Sequence, residues 1–188
     1  MGGKIDLQSK VNEGTYFSVS VPLKIDRDVS GEKSESTVRP TVDMHGKMAL
    51  LVEDNELNME IAGFLLEGEG MIVVKASNGK EAVEKFAASE VGGFDIIFMD
   101  VMMPVMNGLD AARKIRSMTR ADAQTIPVIA MTANAFQDDV QRSFEAGMNA
   151  HITKPLDIIK IREAITDVMT KNLSSQTKID ATGFANWK

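Results

Sequence analysis

The chain has 188 residues, of which 44% are hydrophobic and 26% are charged, with no cysteine and a formal net charge of −6. This length accommodates one domain of ordinary size plus appendages, and the acidic balance disfavours a nucleic-acid partner, which normally meets a basic surface. The lack of cysteine excludes disulfides, thiolate metal sites and cysteine nucleophiles.

The first elements that the sequence predicts are two short strands, at residues 4–10 and 15–22. Apolar and polar residues alternate in both, which is typical of a strand with one buried face. The alternating apolar residues are Ile5, Leu7, Phe17, Val19 and Val21. An isolated two-stranded hairpin is at best marginally stable in water. We therefore interpret residues 1–24 as the remnant of a larger domain.

Composition divides the rest of the chain into three segments. Residues 25–46 are rich in charge, Ser, Thr and Pro, so they cannot bury enough apolar area to fold and are predicted to be a linker. Residues 47–171 form the main domain, and the mostly polar residues 172–188 are predicted to be a flexible tail. No segment has the apolar length of a signal peptide or a transmembrane helix. We expect a cytoplasmic location without membrane contact by this fragment, although the parent protein is compatible with a membrane anchor elsewhere.

Within the main domain the hydrophobic period switches regularly between strand and helix. Apolar runs typical of strands occur at residues 48–52, 71–75, 94–99, 126–131 and 150–153. The stripes predicted to face the core are Leu57, Ile61, Phe64 and Leu65 in the first helix, Ala82, Val83 and Phe86 in the second, Leu109, Ala112 and Ile115 in the third, Phe136, Val140 and Phe144 in the fourth, and Ile158, Ile161, Ile165 and Val168 in the fifth. Asn78 and Glu81 are typical of a capping box before the second helix. Apolar strands between helices predict a parallel sheet buried on both faces, so the fold class is α/β with a doubly wound five-stranded sheet and five helices.

Polar residues follow four of these strands at the points where the strands end. They are Glu53-Asp54, Asp100, Thr132 and Lys154-Pro155. In an open parallel sheet the ligand site lies outside the carboxyl ends of the strands, so three acids, a hydroxyl and an ammonium group are expected in one shallow cleft. Such a cleft suits a divalent cation and a phosphoryl group.

Each of these residues has an ordinary explanation when taken alone. An acidic pair is most often solvated, Asp100 and Thr132 could cap helices, and Lys154 could be a surface charge. Their joint placement at strand ends favours a site. The two histidines, His45 and His151, lie outside helical phosphoacceptor motifs, and the thirteen methionines are more typical of adaptable packing than of a metal site.

Four segments resemble the receiver domain of two-component response regulators, in that family's order and spacing. They are Leu-Val-Glu-Asp-Asn, Ile-Phe-Met-Asp-Val-Met-Met-Pro-Val-Met-Asn-Gly, Ile-Ala-Met-Thr-Ala-Asn and Ile-Thr-Lys-Pro-Leu. The resemblance covers residues 47 to about 170. It implies a flavodoxin-like fold with the strand order 2-1-3-4-5.

The resemblance also implies roles for individual residues. Asp100 would be the phosphoacceptor, and an aspartate is able to form such a covalent intermediate. Lys154 would pair with Asp100 before the reaction and with a phosphoryl oxygen after it, and the Thr132 hydroxyl would bond the phosphoryl group as a switch. Mg²⁺, or Mn²⁺ in its place, would be held by Asp100, Asp54 and the backbone carbonyl of Met102.

Several positions depart from the commonest family pattern or tune the reaction. Glu53 replaces an aspartate and is expected to act on the metal through water. His151 occupies a position that is aromatic in many receivers, so the switch is expected to be weaker or pH-sensitive. Met102 and Asn134 flank the reaction centre, and the bulky Met102 predicts slow hydrolysis. The peptide bond before Pro155 is usually cis in this family.

Residues 1–24 resemble the last hairpin of a histidine-kinase ATP-binding domain, which implies the layout of a hybrid sensor kinase. The donor would be a phosphohistidine, and the recipient could be a histidine phosphotransfer protein that meets the face near Asn58 and Ile61 and the loop after Pro155. The fragment lacks an intact kinase core, so any catalysis would be its own phosphotransfer and dephosphorylation. Two alternatives stay open: an interaction module that is not phosphorylated, and a small phosphatase that uses the same acidic cleft.

Overall fold

The computed structural model describes residues 2–10, 14–22, 42–133 and 137–182, with residues 137 and 171–182 described by their backbone alone. The chain divides into two compact units, Met1–Val38 and Arg39–Lys188. Within the described residues, the second unit holds the five-stranded sheet and all of the helices. None of the described helices is both long enough and apolar enough to cross a bilayer.

The first unit contains an antiparallel hairpin of β1 (Lys4–Lys10) and β2 (Gly14–Ser20). Cross-strand neighbours share a face, and the pairs Ile5–Val19 and Leu7–Phe17 make one face apolar. All four side chains are more than half exposed within this unit. The predicted hairpin is confirmed, and its turn at residues 11–13 lies outside the described residues.

The second unit has a parallel sheet with helices on both faces. Its strands are β3 (Met48–Val52), β4 (Ile72–Ala76), β5 (Ile96–Asp100), β6 (Val128–Thr132) and β7 (Ala150–Thr153). Its helices are α1 (Glu56–Gly68), α2 (Gly79–Ala88), α3 (Gly108–Arg116), α4 (Gln137–Glu145) and α5 (Ile158–Thr182). The strand order is β4-β3-β5-β6-β7 and every neighbouring pair is parallel. The predicted order 2-1-3-4-5 of a doubly wound sheet is therefore confirmed.

Alternate side chains of each strand enter two separate cores. In β3, Leu50 and Val52 lie in the core with α2 and α3, whereas Ala49 and Leu51 lie in the core with α1 and α5. All four are fully buried. A strand buried on both faces has no polar positions until it ends, and this is why its first polar residue marks the edge of the sheet.

The apolar face predicted for α1 is wrong for three of its four residues, whereas the fourth, Leu65, is half-buried and packs against the core. Leu57 and Phe64 are 69% and 77% exposed, and Ile61 is also exposed, whereas the buried residues of the helix are Met59, Ala62, Gly63 and Leu66. The helix carries two apolar stripes, and the one with small residues lies against the sheet. At Gly63 an added Cβ would lie 3.3 Å from Cε of Lys75, so bulk is limited on this face. The larger stripe faces outward.

The fourth helix also differs from prediction, because Phe144 is 45% exposed while Ser143 is buried on the core side. Val140 is half-buried, and Phe136 lies outside the described residues. In α5 the predicted stripe is confirmed for three of its members, which are buried, while Ile158 is half-buried. This helix continues beyond the predicted end of the domain at residue 171 to Thr182, and the assignment of residues 172–188 as a flexible tail stays a prediction.

The packed unit begins before residue 47, where the linker was predicted to end. Met44 is 4% exposed and belongs to the core beneath α1 and α5, and Val42 packs against the same core. The backbone N–H of Gly46 donates to the carbonyl oxygen of Gly70 at 2.8 Å, which fixes this entry segment to the end of α1. Two isolated apolar residues in a polar segment gave no periodic signal, so the sequence did not reveal this contact.

Asparagine caps begin the three helices α1, α2 and α3. The side chains of Asn55, Asn78 and Asn107 accept hydrogen bonds from the backbone N–H three residues later. Each such cap stabilises a helix by about 1 kcal/mol. The predicted capping box is confirmed with one difference, because Glu81 accepts from the backbone of Ser77 instead of Asn78. These caps fix the loops that leave β3, β4 and β5.

Candidate functional site

Four strand ends meet at one edge of the sheet. β3 is followed by Glu53 and Asp54, and β5 ends at Asp100. β6 ends at Thr132, and Lys154 follows β7. The register places Asp100 opposite Met131 in β6, so the neighbouring strands β5 and β6 end almost level. Backbone bonds continue the pairing beyond the strands, since the N–H of Val101 donates to Met131 at 3.0 Å. The topology alone therefore places the predicted polar residues side by side.

Three acids form a compact cluster at this edge. Ligand oxygens of Glu53, Asp54 and Asp100 all lie within 4.8 Å of one another. Glu53 and Asp100 are 2% and 5% exposed, whereas Asp54 is exposed. Buried carboxylates repel one another unless cations compensate them, and carboxylate oxygens are ligands that Mg²⁺ prefers. The donor set therefore fits a hard divalent cation that approaches from the side of Asp54.

Lys154, which follows β7, supplies one compensating charge. Its Nζ lies 2.5 Å from Oδ2 of Asp100 and 2.5 Å from Oε2 of Glu53. Burial lowers the pKa of Lys154, but the hydrogen bonds to Asp100 and Glu53 outweigh burial, so this pKa lies above its ordinary value. The lysine is therefore a permanent cation, and three carboxylates against one ammonium leave the cleft negative.

Burial raises the pKa of the Asp100 carboxyl above its ordinary value. The hydrogen bond from Lys154 and the one from the backbone N–H of Met102, at 3.0 Å, oppose this rise without cancelling it. The nearby charge of Glu53 raises the pKa further. The charged form of Asp100 is thus incompletely compensated by the protein alone, which again favours a second cation in the cleft.

Asn58 and Gly108 also shape the acidic cleft, although the sequence did not predict a role for either residue there. The side-chain amide of Asn58 donates to Oε1 of Glu53 at 3.0 Å, so α1 orients this carboxylate. Gly108, the first residue of α3, lies so close to the strand end that an added Cβ would be 2.1 Å from the backbone oxygen of Asp100. The Asn-Gly pair at residues 107–108 was a visible signal for such a close approach.

The sequence comparison agrees with this geometry. Residues 49–166 match the family described as the response regulator receiver domain. This chain belongs to that family. The receiver domain accounts for the five-stranded sheet and the acidic edge, and it is the part of two-component phosphorelay proteins that the strand-end segments resembled.

Relatives of this receiver domain include sensor kinases and solved receiver structures. The chain is 31% identical over 183 residues to the aerobic respiration control sensor protein ArcB of Escherichia coli, an alignment that covers 97% of the chain and 22% of ArcB. A second relative is the receiver domain of the sensor histidine kinase PA1611 from Pseudomonas aeruginosa, whose crystal structure has a magnesium ion coordinated in the active site cleft. It is 33% identical to this chain, with a TM-score of 0.59, and the match covers 66% of this chain and 98% of that one. The chain spans less than a quarter of the length of the curated relatives that it matches.

A third relative comes from a complex. It is a chain from the Saccharomyces cerevisiae co-crystal structure of the histidine phosphotransfer signalling protein Ypd1 and the receiver domain of its downstream response regulator Ssk1. It is 30% identical with a TM-score of 0.57, over 65% of this chain and 88% of that one.

The remaining predicted positions of the receiver domain lie around the acidic cluster. Thr132 is 7% exposed, and its carbonyl oxygen accepts a 2.8 Å hydrogen bond from the backbone N–H of Lys154. The peptide bond between Lys154 and Pro155 is cis. Met102 is 76% exposed, two residues after Asp100. Asn134 lies outside the described residues.

His151 does not belong to the acidic cluster. It lies on the edge strand β7, where it pairs in register with Ala130 of β6, and it is half-buried. Its ring meets that of Phe144 edge to face, with 6.3 Å between the centroids. The position that is aromatic in many receivers is thus occupied by an imidazole that packs against a phenyl ring.

Proposed function

We propose that this receiver domain takes a phosphoryl group from a phosphohistidine onto Asp100 and later loses it to water or passes it on. The observation that carries the proposal is the setting of Asp100, whose Oδ2 lies 2.5 Å from Nζ of Lys154 within a cluster of three carboxylates. A buried nucleophile beside a permanent cation, with access on the side of the exposed Asp54, suits phosphoryl transfer.

The transfer would exchange one bond for another. An oxygen of Asp100 attacks phosphorus, the bond from phosphorus to the donor's imidazole nitrogen breaks, and that nitrogen keeps the electron pair. The product is an acyl phosphate on Asp100. Lys154 would then exchange its contact with Asp100 for one with a phosphoryl oxygen, since charge-assisted hydrogen bonds favour the more negative partner.

Asp54, Asp100 and the backbone carbonyl of Met102 would hold Mg²⁺, or Mn²⁺ in its place, because both cations take oxygen ligands. Glu53 would act through water. Both of its oxygens already accept hydrogen bonds, Oε1 from Asn58 and Oε2 from Lys154, which supports a position outside the direct ligands. A bound divalent cation supplies positive charge that offsets repulsion between the carboxylates and the incoming phosphoryl oxygens.

The Thr132 hydroxyl would bond the phosphoryl group and draw the loop before α4 towards it. The backbone bond between Thr132 and Lys154 supports a shared movement of the two strand ends. Because His151 packs against Phe144 in place of the larger aromatic residue, we propose a weaker or pH-sensitive coupling to the outer face. Met102 and Asn134 would set the rate of hydrolysis.

The partner that supplies or receives the phosphoryl group would dock on α1 and the loop after Pro155. The outward stripe of α1, with Leu57, Ile61 and Phe64, offers apolar area beside the acidic edge, and exposed apolar patches of this kind mark protein interfaces. The co-crystal structure of Ypd1 and the Ssk1 receiver domain supports a histidine phosphotransfer protein as the class of partner.

The parent protein would be a cytoplasmic-facing hybrid histidine kinase. Residues 1–24 would be the end of its ATP-binding domain, since the apolar face of the hairpin is more than half exposed and needs a covering layer. The alignment with ArcB, which covers 97% of the chain, supports this layout.

The test is transfer from a phosphorylated histidine phosphotransfer protein, with phosphoramidate as a small donor that needs no docking surface. We expect the wild type to accept the phosphoryl group from both donors and Asp100→Asn to accept it from neither.

The docking surface is tested with the same two donors. Phe64→Asp should slow phosphoryl transfer from the protein donor by roughly tenfold, the loss typical of one interface anchor, and leave the rate with phosphoramidate unchanged. Val91→Asp, on a residue that is 64% exposed in the loop after α2, is the matched control. Equal acceptance by Asp100→Asn would contradict the proposal and favour a different acceptor, and no acceptance by the folded wild type would favour an interaction module.

A further inference from the structure

Methionine is the only sulfur-containing residue type in this chain. The sequence has thirteen methionines and no cysteine. Among the methionines that the structure describes, only Met102 is exposed, with 76% of its area open to solvent. A mild oxidant therefore meets one accessible thioether in the described part of the chain, and no thiol competes for it.

The other methionines near the site are shielded. Met99 in β5 and Met131 in β6 have no exposed area. Met103 and Met106 flank the same loop, but both are half-buried and pack against the core of α2 and α3. Met102 is therefore much more exposed than Met103 and Met106, although the three methionines lie within five residues of one another.

Met102 also lies beside the reaction centre. Its backbone N–H donates to Oδ1 of Asp100 at 3.0 Å, so its Cα is fixed within one hydrogen bond of the phosphoacceptor carboxylate. The loop continues through Val105, which is 80% exposed and has a φ of 67°. The exposed side chain of Met102 is consequently held at the rim of the acidic cleft, two residues from Asp100.

We propose that Met102 is a reversible oxidation site at which a peroxide shortens the life of the phosphorylated state. The thioether sulfur attacks one peroxide oxygen, the O–O bond breaks, and the products are methionine sulfoxide and water. Sulfur loses two electrons and the peroxide gains them. A methionine sulfoxide reductase returns the thioether at the expense of thiols.

The effect on lifetime rests on the proposed function of Asp100. A thioether is a poor hydrogen-bond acceptor, whereas the sulfoxide oxygen accepts hydrogen bonds from water. Oxidation thus replaces an apolar group at the rim with one that holds water near the acyl phosphate. We expect hydrolysis to become about two- to fivefold faster, the change that one hydrogen bond of ordinary net strength at the reacting water would produce.

The experiment treats the full chain with limiting hydrogen peroxide and maps the methionines by peptide mass spectrometry. Sulfoxide should form at Met102 roughly tenfold faster than at any other described methionine, because thioether oxidation follows exposure. Faster oxidation at a buried methionine would overturn the proposal. This measurement needs no phosphorylation, so it stands even if Asp100 proves not to be the acceptor.

The second measurement is the half-life of the phosphorylated protein before and after peroxide. The wild type should show the shortened half-life, and the sulfoxide reductase should restore it. Met102→Leu, which keeps the bulk and lacks sulfur, should give the same half-life with and without peroxide, and Met102→Gln should be short-lived without peroxide. An unchanged half-life in wild type fully oxidised at Met102 would refute the proposal, whereas failure of every variant to phosphorylate would refute the proposed function itself.

Discussion

The ammonium nitrogen of Lys154 lies 2.5 Å from Oδ2 of Asp100, with only 19% and 6% of the two side chains exposed. The same nitrogen lies 2.5 Å from Oε2 of Glu53, whose side chain is 1% exposed. One cation thus serves two buried carboxylates. Removal of one member of a buried ion pair leaves a charge whose desolvation is no longer offset. Lys154 is therefore a counter-ion that stabilises the fold, in addition to its proposed role in phosphoryl transfer.

We expect Lys154→Met to lower the free energy of unfolding by about 3 kcal/mol, the lower end of the range for losing one partner of a buried pair. Urea denaturation without Mg²⁺ measures this change. Addition of Mg²⁺ should recover part of the loss, because a cation would again compensate the two acids. Lys80→Met, on a side chain that is 63% exposed, is the control and should change stability by less than about 0.5 kcal/mol. Equal losses with and without Mg²⁺ would contradict the shared counter-ion.

Gly108 tests the close approach of α3 to the acidic edge. A Cβ there would lie 2.1 Å from the backbone oxygen of Asp100 and 2.9 Å from Cγ of Met99, and the backbone oxygen cannot move without moving β5. We expect Gly108→Ala to cost about 3 kcal/mol, the upper end of ordinary overpacking. Gly68→Ala, at a helical glycine with nothing within 4 Å, should instead stabilise by about 0.5–1 kcal/mol. Wild-type stability of Gly108→Ala in urea would rule out the close approach.

Asp122 tests the acid end of the stability profile. Its carboxylate accepts hydrogen bonds from Arg120 at 2.6 and 2.9 Å and from the backbone N–H of Gly92 at 2.7 Å. The Arg120 bonds hold the pKa of Asp122 at about 2, below its ordinary value of 3.8, although burial opposes the shift. Because the folded-state pKa is lowered, this stabilisation is complete above the unfolded-state pKa and is lost as the pH falls through the folded-state value.

We therefore expect Asp122→Asn to be less stable than wild type at neutral pH, with a difference that shrinks as the pH falls from about 4 to about 2, between the unfolded-state and folded-state pKa values. Urea midpoints of the two proteins across this range measure the difference. Asp110→Asn removes a more exposed acid, 54% of whose side chain is open, and should show little change at any pH. A constant difference between Asp122→Asn and wild type would show that the ion pair is not the cause.

The positions of the polar residues at the edge of the sheet were predictable, because a strand that is buried on both faces admits polar residues only where it ends. Strand β3 is apolar along its whole length and β5 is apolar up to its last residue, so Glu53 and Asp100 are the first positions at which each segment becomes polar. The sheet order then brings these two residues together. Positions that depend on a strand end are therefore fixed by the sequence, and the acidic cluster is the clearest case.

Helix faces and chain entry were less predictable. In α1 the exposed stripe of Leu57, Ile61 and Phe64 is at least as apolar as the buried one, so the apolar pattern alone does not show which stripe faces the sheet. Space against the sheet is limited at Gly63 on the buried side. The burial of Met44 depends on a gap beneath α1 and α5 that no local pattern reveals. Which helix face is buried, and whether an isolated residue such as Met44 is buried, depends on contacts between elements that are distant in sequence. The local hydrophobic period carries no information about those contacts.

The exposed Met102 gives a prediction for the phosphorylated state of the unoxidised protein. A bulky apolar side chain at the rim should hinder an attacking water, so we expect Met102→Ser to shorten the half-life of the phosphorylated protein by roughly tenfold, within the range for the placement of a reacting water. Loss of phosphoryl mass with time measures the half-life. Val105→Ser, at a loop residue that is 80% exposed, is the control and should stay near wild type. No acceleration in Met102→Ser would show that Met102 does not limit access.

The central claim is that Asp100 is a metal-dependent phosphoacceptor. The most direct measurement is intact-mass spectrometry after incubation with acetyl phosphate, with and without Mg²⁺, on the wild type, Asp100→Asn and the matched control Asp110→Asn. We predict the gain of one phosphoryl group in the wild type and in the control, only with Mg²⁺, and no gain in Asp100→Asn. A gain in Asp100→Asn equal to that of the wild type, or no gain in a folded wild type with Mg²⁺ present, would contradict the claim.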